Sequence, residues 1–209
     1  SEMCIRDRSC SIKSLTRDYL YKQLLSSGEY TFDHMLVIKD PYGEAPLTAL
    51  ALFILEEPAC VRVTTKGNLK ETDFVTELPK KKEHRVPILG MYAEKANDIV
   101  IEILDDEGNC VKSHTFTIRT KRLPKSLRNV ITVKKWTDKP AYSNIMINGG
   151  VKIHTCVFDI EGKIRYYLSR KPRGYGIFPL SDGHFFYMEK YISVPVSYTH
   201  LRAHETSLH

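Results

Sequence analysis

The stretch that most limits the fold is Leu47 to Ile54, a run without a charge behind the corner Asp40-Pro41-Tyr42-Gly43-Glu44-Ala45-Pro46. Pro41 and Pro46 hold φ on either side of the turn that Tyr42-Gly43 supplies. An uncharged run of strand length reads as a strand buried on both faces. The rest of the chain must therefore cover two sides of it.

The neighbouring segments have strand texture. Met35 to Ile38 leads into the corner, and Pro58 is expected to end the connection after Ile54. Cys60 to Thr65 alternates Val61 and Val63 with Arg62 and Thr64, and Lys66-Gly67-Asn68 closes it as a turn. Phe74-Val75 and Leu78 mark a short strand before Pro79 and the run Lys80-Lys81-Lys82, which is expected in a loop. Arg85 to Tyr92 reads as a further strand, with Gly90 at a bulge or close approach. Ile99, Ile101 and Ile103 alternate up to the turn Asp105-Asp106-Glu107-Gly108-Asn109, and Cys110 to Thr120 returns as the hairpin partner. Evenly spaced strands with no helix between them predict an all-β, Ig-like antiparallel sandwich over residues 30–122. Before it, Ser14 to Leu25 reads as a short amphipathic helix that Gly28 stops. Leu15, Tyr19, Leu20 and Leu24 form its expected apolar face.

The texture changes after the basic, proline-containing segment Lys121 to Lys125, which reads as a linker. Strands are expected at Val130 to Val133, before Gly149-Gly150, at Ile153 to Asp159, at Ile164 to Ser169, at Gly176 to Leu180 and at His184 to Met188. Asp-x-x-Gly and Asp-Gly turns with aromatic strand ends suggest the first blades of a β-propeller over residues 123–196. A propeller closes its ring to protect its edges, so this part is expected to be truncated. Residues 1–9 and 197–209 resemble translated adapter sequence and are expected to be extraneous; His200, His204 and Glu205 are set aside with them.

Composition excludes little. The net charge is +6, but the basic residues are scattered and no aromatic-basic platform supports nucleic-acid binding. No window reaches the length of an apolar membrane span. Five cysteines (Cys4, Cys10, Cys60, Cys110, Cys156) lack metal-ligand spacing and read as packed or free thiols. Gly149-Gly150 and Gly174-x-Gly176 lack the helix and Lys-Ser/Thr of a phosphate loop. No cofactor or metal is implied.

The residues Asp40-Pro41-Tyr42-Gly43-x-Ala45-Pro46-Leu47-Thr48-Ala49, then Val61-x-Val63 with Lys66-Gly67, then Val86-Pro87-Ile88-Leu89-Gly90-Met91-Tyr92-Ala93 with Asn97-x-Ile99, resemble the N-terminal domain of bacterial aryl-sulfate sulfotransferases. Phe158-Asp159-x-x-Gly162-x-Ile164-Arg165-Tyr166-Tyr167-Leu168 resembles the family's first propeller strands, with Tyr166 where tryptophan is common. The resemblance implies a sandwich followed by a six-bladed propeller. It also implies sulfuryl transfer from a phenolic sulfate ester to a phenol through a sulfated histidine, in an exported, periplasmic or cell-surface enzyme for which a homodimer is one expected assembly. The family's catalytic histidine lies in a later blade, so no catalytic residue carries over. His34, His84, His114, His154 and His184 read as ordinary sheet or turn histidines; His154 and His184 are those to watch for a channel position. The sandwich itself is expected to support the propeller or join subunits. The alternative is a non-catalytic sandwich that binds glycan or protein at the cell surface.

Overall fold

A computed structural model describes residues 16–134, 144–147, 154–169, 176–179, 185–189 and 192–196. The chain ends read as adapter, together with His184, Gly149-Gly150 and Gly174, lie outside the described residues. Residues 16–26 form helix α1. Strands β1 (Leu36–Lys39), β2 (Ala49–Thr65), β3 (Phe74–Ile88), β4 (Ala96–Leu104) and β5 (Cys110–Arg119) follow.

All pairings among β1 to β5 are antiparallel, and β2 is the hub. It pairs with β3 along its length, from Ala49↔Ile88 to Thr65↔Phe74. On its other edge β1 pairs with the first half, Leu36↔Leu52 to Lys39↔Ala49. There β4 pairs with the second half, Cys60↔Leu104 to Thr65↔Ile99, and β5 pairs with β4. The neighbour changes where the β2–β3 register shifts, between Ile54 and Val61. Residues from both halves meet in one core: Ala49, Ala51, Phe53, Val86 and Ile88 from the first, Val61, Val63, Leu78, Ile99 and Ile101 from the second. A ribbon whose two halves face a single core has folded across it, which is how a sandwich encloses its interior.

The ribbon corrects two expectations. The connection expected up to Pro58 is part of β2, which runs unbroken from Ala49 to Thr65; Pro58 sits in its irregular step, where an absent N–H costs no ladder bond. Lys80, Lys81 and Lys82 lie within β3, not in a loop, and their exposed side chains line the bend. The strand expected over Arg85–Tyr92 ends at Ile88, and 130–134 forms no strand.

Burial on both faces of Leu47–Ile54 is borne out. Ala49, Ala51 and Phe53 face the sandwich core, while Leu50 and Leu52 pack beneath Tyr21 and Leu25 of α1. The helix meets the expected face only in part: Leu24 packs against the buried cluster, while Tyr19 and Leu20 are exposed and Tyr21 and Leu25 take their place. The buried face is chosen by polar anchors as much as by apolar spacing. Tyr21 donates its hydroxyl to the Pro41 carbonyl. Asp18 accepts from Tyr42 at 2.7 Å and from Arg85 at 2.5 Å.

The corner is built around Asp40, which adopts φ 45°. Its carboxylate accepts from Ala45 N at 2.9 Å, and its own N–H donates to Thr48 O at 2.9 Å. The β4–β5 hairpin forms as expected, with Asp105 accepting from the backbone of Glu107 and Asn109.

Two three-stranded antiparallel sheets follow. One has the order β6 (Asn144–Ile147), β7 (Cys156–Asp159), β8 (Ile164–Tyr167). The other has the order β11 (Ile192–Val196), β10 (Phe185–Glu189), β9 (Gly176–Pro179). Cys156, Phe158, Ile164 and Tyr167 belong to the same hydrophobic cluster as the sandwich core.

Candidate functional site: a buried arginine joining two segments

Three pieces of chain converge on the Arg165 side chain. The first is the loop between β2 and β3. A Cβ on Gly67 would lie 2.2 Å from Thr72 Oγ1 and 2.5 Å from Thr72 C, so only glycine permits this tight loop. Thr72 closes it, donating its hydroxyl to Leu69 O at 2.8 Å and accepting from Leu69 N at 3.1 Å. Its own carbonyl is thereby free of the loop's internal bonding and points to Arg165.

The second piece is the loop after β3. Gly90 sits at φ 75°, and a Cβ there would meet Phe74 at 2.6 Å. The close approach expected at this glycine is real. Asn97 holds the loop from within: its Oδ1 accepts from Tyr92 N at 2.7 Å, and its Nδ2 donates to Tyr92 O at 3.0 Å. These contacts orient the Tyr92 ring and the Gly90 carbonyl.

The third piece is the β7–β8 hairpin. Asp159 Oδ1 accepts from the backbone N–H of Glu161 and of Lys163, both at 3.0 Å, which is how an aspartate shapes an Asp-x-x-Gly turn. Its Oδ2 accepts from the Tyr92 hydroxyl at 2.9 Å and from Arg165 Nη1 at 3.3 Å.

Arg165 then spans all three. Nε donates to Gly90 O at 2.6 Å; Nη1 donates to Thr72 O at 2.7 Å and to the Tyr92 hydroxyl at 3.0 Å. The guanidinium carbon lies 3.9 Å from the Tyr92 ring centroid. Arg165 and Asp159 expose no surface. Burial raises the Tyr92 pKa, and acceptance by Asp159 adds to it, while Thr72, Asn68 and Arg165 oppose; the phenol stays a neutral donor. A charge this deep is tolerated because it is paired and bonded to carbonyls. The corner joins the same assembly: Glu44 O accepts from Ser169 N at 2.8 Å, just beyond β8. Chemically, the arrangement positions chain segments. Its polar groups are sealed from solvent and, Arg165 Nη2 apart, hydrogen-bonded.

The histidines do not converge on it. His34 is exposed. His84 is buried, stacks on Phe53 at 5.3 Å and shares a 2.8 Å bond with Lys81 O. His114 contacts Phe32 and Phe116 at the core edge, as its strand face predicts. His154 bonds Leu168 O through Nδ1 at 2.8 Å and meets Tyr167 edge-on. Among the described residues Cys60, Cys110 and Cys156 are free thiols, and no group of three or more His, Cys, Asp or Glu is placed to hold a metal. No described helix is long and apolar enough to cross a membrane. Sequence reasoning recorded Tyr92, Asp159 and Arg165 as motif positions but gave them no role. The available signal was a charge at each end of the Asp159–Arg165 hairpin, flanked by Phe158 and Ile164.

Residues 36–121 match a family model described as the arylsulfotransferase Ig-like domain. The match supports the arylsulfotransferase family, and over this segment the chain is similar to its Ig-like domain. No curated protein matches the chain. The matched segment contains Thr72, Gly90 and Tyr92, whereas Asp159 and Arg165 lie beyond it.

Proposed function

We propose that the chain is the sandwich and first propeller strands of an aryl-sulfate sulfotransferase. In such an enzyme a histidine nitrogen attacks the sulfur of a phenolic sulfate ester. A nitrogen–sulfur bond forms as the ester oxygen–sulfur bond breaks, and the phenolate leaves and takes up a proton. A second phenol then accepts the sulfuryl group, with cationic donors offsetting charge on its oxygens. The observation that carries the reading is the match of residues 36–121 to the arylsulfotransferase Ig-like domain.

The Arg165 assembly suits the supporting role of that domain, because it ties the sandwich to the strands that follow. The two antiparallel three-stranded sheets are in keeping with residues 123–196 being the start of a propeller. Among the described histidines, His84 and His154 are buried and each shares a bond with a backbone carbonyl. On this reading the catalytic histidine belongs to a later blade, and the chain alone is expected to transfer no sulfuryl group. Donor and acceptor are phenolic, and the enzyme works in the periplasm or at the cell surface.

The test is transfer from 4-nitrophenyl sulfate to phenol, assayed with the purified chain and with the product of the uninterrupted gene. The chain is expected to be silent and the longer product to release 4-nitrophenolate in proportion to acceptor. Turnover by the chain alone overturns its inactivity; a longer product without transfer overturns the enzyme reading.

A further inference from the structure

The groups of the sandwich that hold Arg165 are each fixed by bonds in which Arg165 takes no part. Thr72 turns its carbonyl outward because its hydroxyl closes the 67–73 loop, donating to Leu69 O at 2.8 Å and accepting from Leu69 N at 3.1 Å. Asp73 holds the same loop from its other end, accepting from Gly67 N at 2.7 Å. The Gly90 carbonyl is set by a backbone at φ 75° that packs against Phe74. Tyr92 is held twice: Asn97 bonds its backbone, and its hydroxyl accepts from Asn68 N at 3.0 Å. Residues 67–97 thus shape a cradle without help from the guanidinium that fills it.

The cradle matches one chemistry. Gly90 O lies 2.6 Å from Nε, Thr72 O lies 2.7 Å from Nη1, and the Tyr92 ring centroid lies 3.9 Å from the carbon between those nitrogens. Two acceptors on neighbouring corners of a planar fork, with a ring close to its carbon, suit a guanidinium. An ammonium is a compact point charge without that fork.

The hairpin presents its arginine in a particular way. Val157 pairs with Tyr166 whereas Phe158 pairs with Ile164, so Arg165 is the extra residue of a β-bulge. A bulge bends its strand and re-aims a side chain. The turn before it is set by Gly162 at φ 75° and by Asp159, which accepts from Glu161 N and Lys163 N. The presenting sequence is Asp159-x-x-Gly162-x-x-Arg165. After the later pair Asp182-Gly183 the same offset carries Phe186, which offers no cation.

We propose that the sandwich carries a preformed guanidinium-binding site, and that it selects the hairpin it docks by the arginine which that hairpin's bulge presents. The partner it fits is a β-hairpin of the pattern Asp-x-x-Gly-x-x-Arg. Recognition then lies in the fork and the ring rather than in the covalent link between the segments. A free alkylguanidinium should therefore occupy the cradle when Arg165 is shortened.

Arg165→Ala in the whole chain is the test, with ethylguanidinium as the probe because it supplies the atoms removed beyond Cβ. The variant should melt below the parent and exchange faster at the Asn68 and Tyr92 amides. Ethylguanidinium should raise its melting temperature saturably and slow exchange at those two amides by at least about tenfold. Ethylammonium, with the same charge and no fork, should do neither. The parent, whose cradle is filled, should respond to neither cation. Arg165→Lys should melt close to Arg165→Ala. Where Arg165→Ala does not fold, its refolding yield with each cation is read in the same way. Equal effects of the two cations, no effect of ethylguanidinium, or a lysine variant as stable as the parent overturns the proposal. None of these outcomes bears on whether the longer enzyme transfers sulfuryl groups.

Discussion

The guanidinium of Arg165 lies 3.9 Å from the ring centroid of Tyr92, and its Nη1 also donates to that residue's hydroxyl at 3.0 Å. The two residues are 73 positions apart and belong to different segments, one inside the matched Ig-like domain and one beyond it. The same hydroxyl donates to Asp159, so the ion pair and the ring form one unit.

Arg165→Met should remove the cation and leave the Asp159 carboxylate buried with fewer partners. The expected cost is about 3–5 kcal/mol, the range for breaking one side of a buried pair. Tyr92→Phe keeps the ring and loses only the hydroxyl's bonds, so about 1–3 kcal/mol is expected. Chemical denaturation measures both. The double variant should fall short of the sum, because each residue's bonds depend on the other. Additive losses would mean that the two do not act as a unit.

Gly90→Ala should be much worse than Gly108→Ala. Both glycines have positive φ, but alanine at 90 would meet Phe74 at 2.6 Å whereas the space around 108 is open. A cost of about 1–2 kcal/mol for the backbone applies at both positions. Overpacking adds about 1–3 kcal/mol at 90 only. Thermal melts of the two variants should separate accordingly.

His84 should make stability depend on pH in a definite direction. Burial holds its pKa below the ordinary imidazole value, with the Lys81 and Ala59 backbone bonds opposing. As pH falls through about 6.5 the unfolded chain takes up this proton before the folded one does, so stability drops. It levels off once pH passes below the depressed folded value. His84→Gln should flatten this part of the profile. Denaturant midpoints from pH 5 to 8 for both proteins provide the measurement, and parallel profiles would contradict the assignment.

The face of α1 is open to direct test. Tyr19→Glu and Leu20→Glu replace exposed side chains and should change stability by no more than about 0.5 kcal/mol. Tyr21→Ala removes a buried ring and its bond to the Pro41 carbonyl, and about 3–5 kcal/mol is expected. Equal effects at positions 19 and 21 would restore the face expected from apolar spacing.

Local pattern was enough for much of this protein. Alternation located β4 and β5, their Asp-Gly turn and the doubly buried first half of β2, because side-chain period and turn chemistry act over a few residues. It also marked Gly90 as a close approach. It failed where the deciding partner was distant. Pro58 read as the end of a connection and Pro79 as the end of a strand, yet β2 and β3 run on as one bent ribbon because each is held by the other. The helix face was settled by Pro41, Tyr42 and Arg85, which no helical period can anticipate. Asp159, Arg165 and Tyr92 could be recognised as motif residues, but their union could not. A charge is buried only where carbonyls and a counter-charge from separate segments meet it, and only the tertiary structure brings Thr72, Gly90 and Tyr92 to that place.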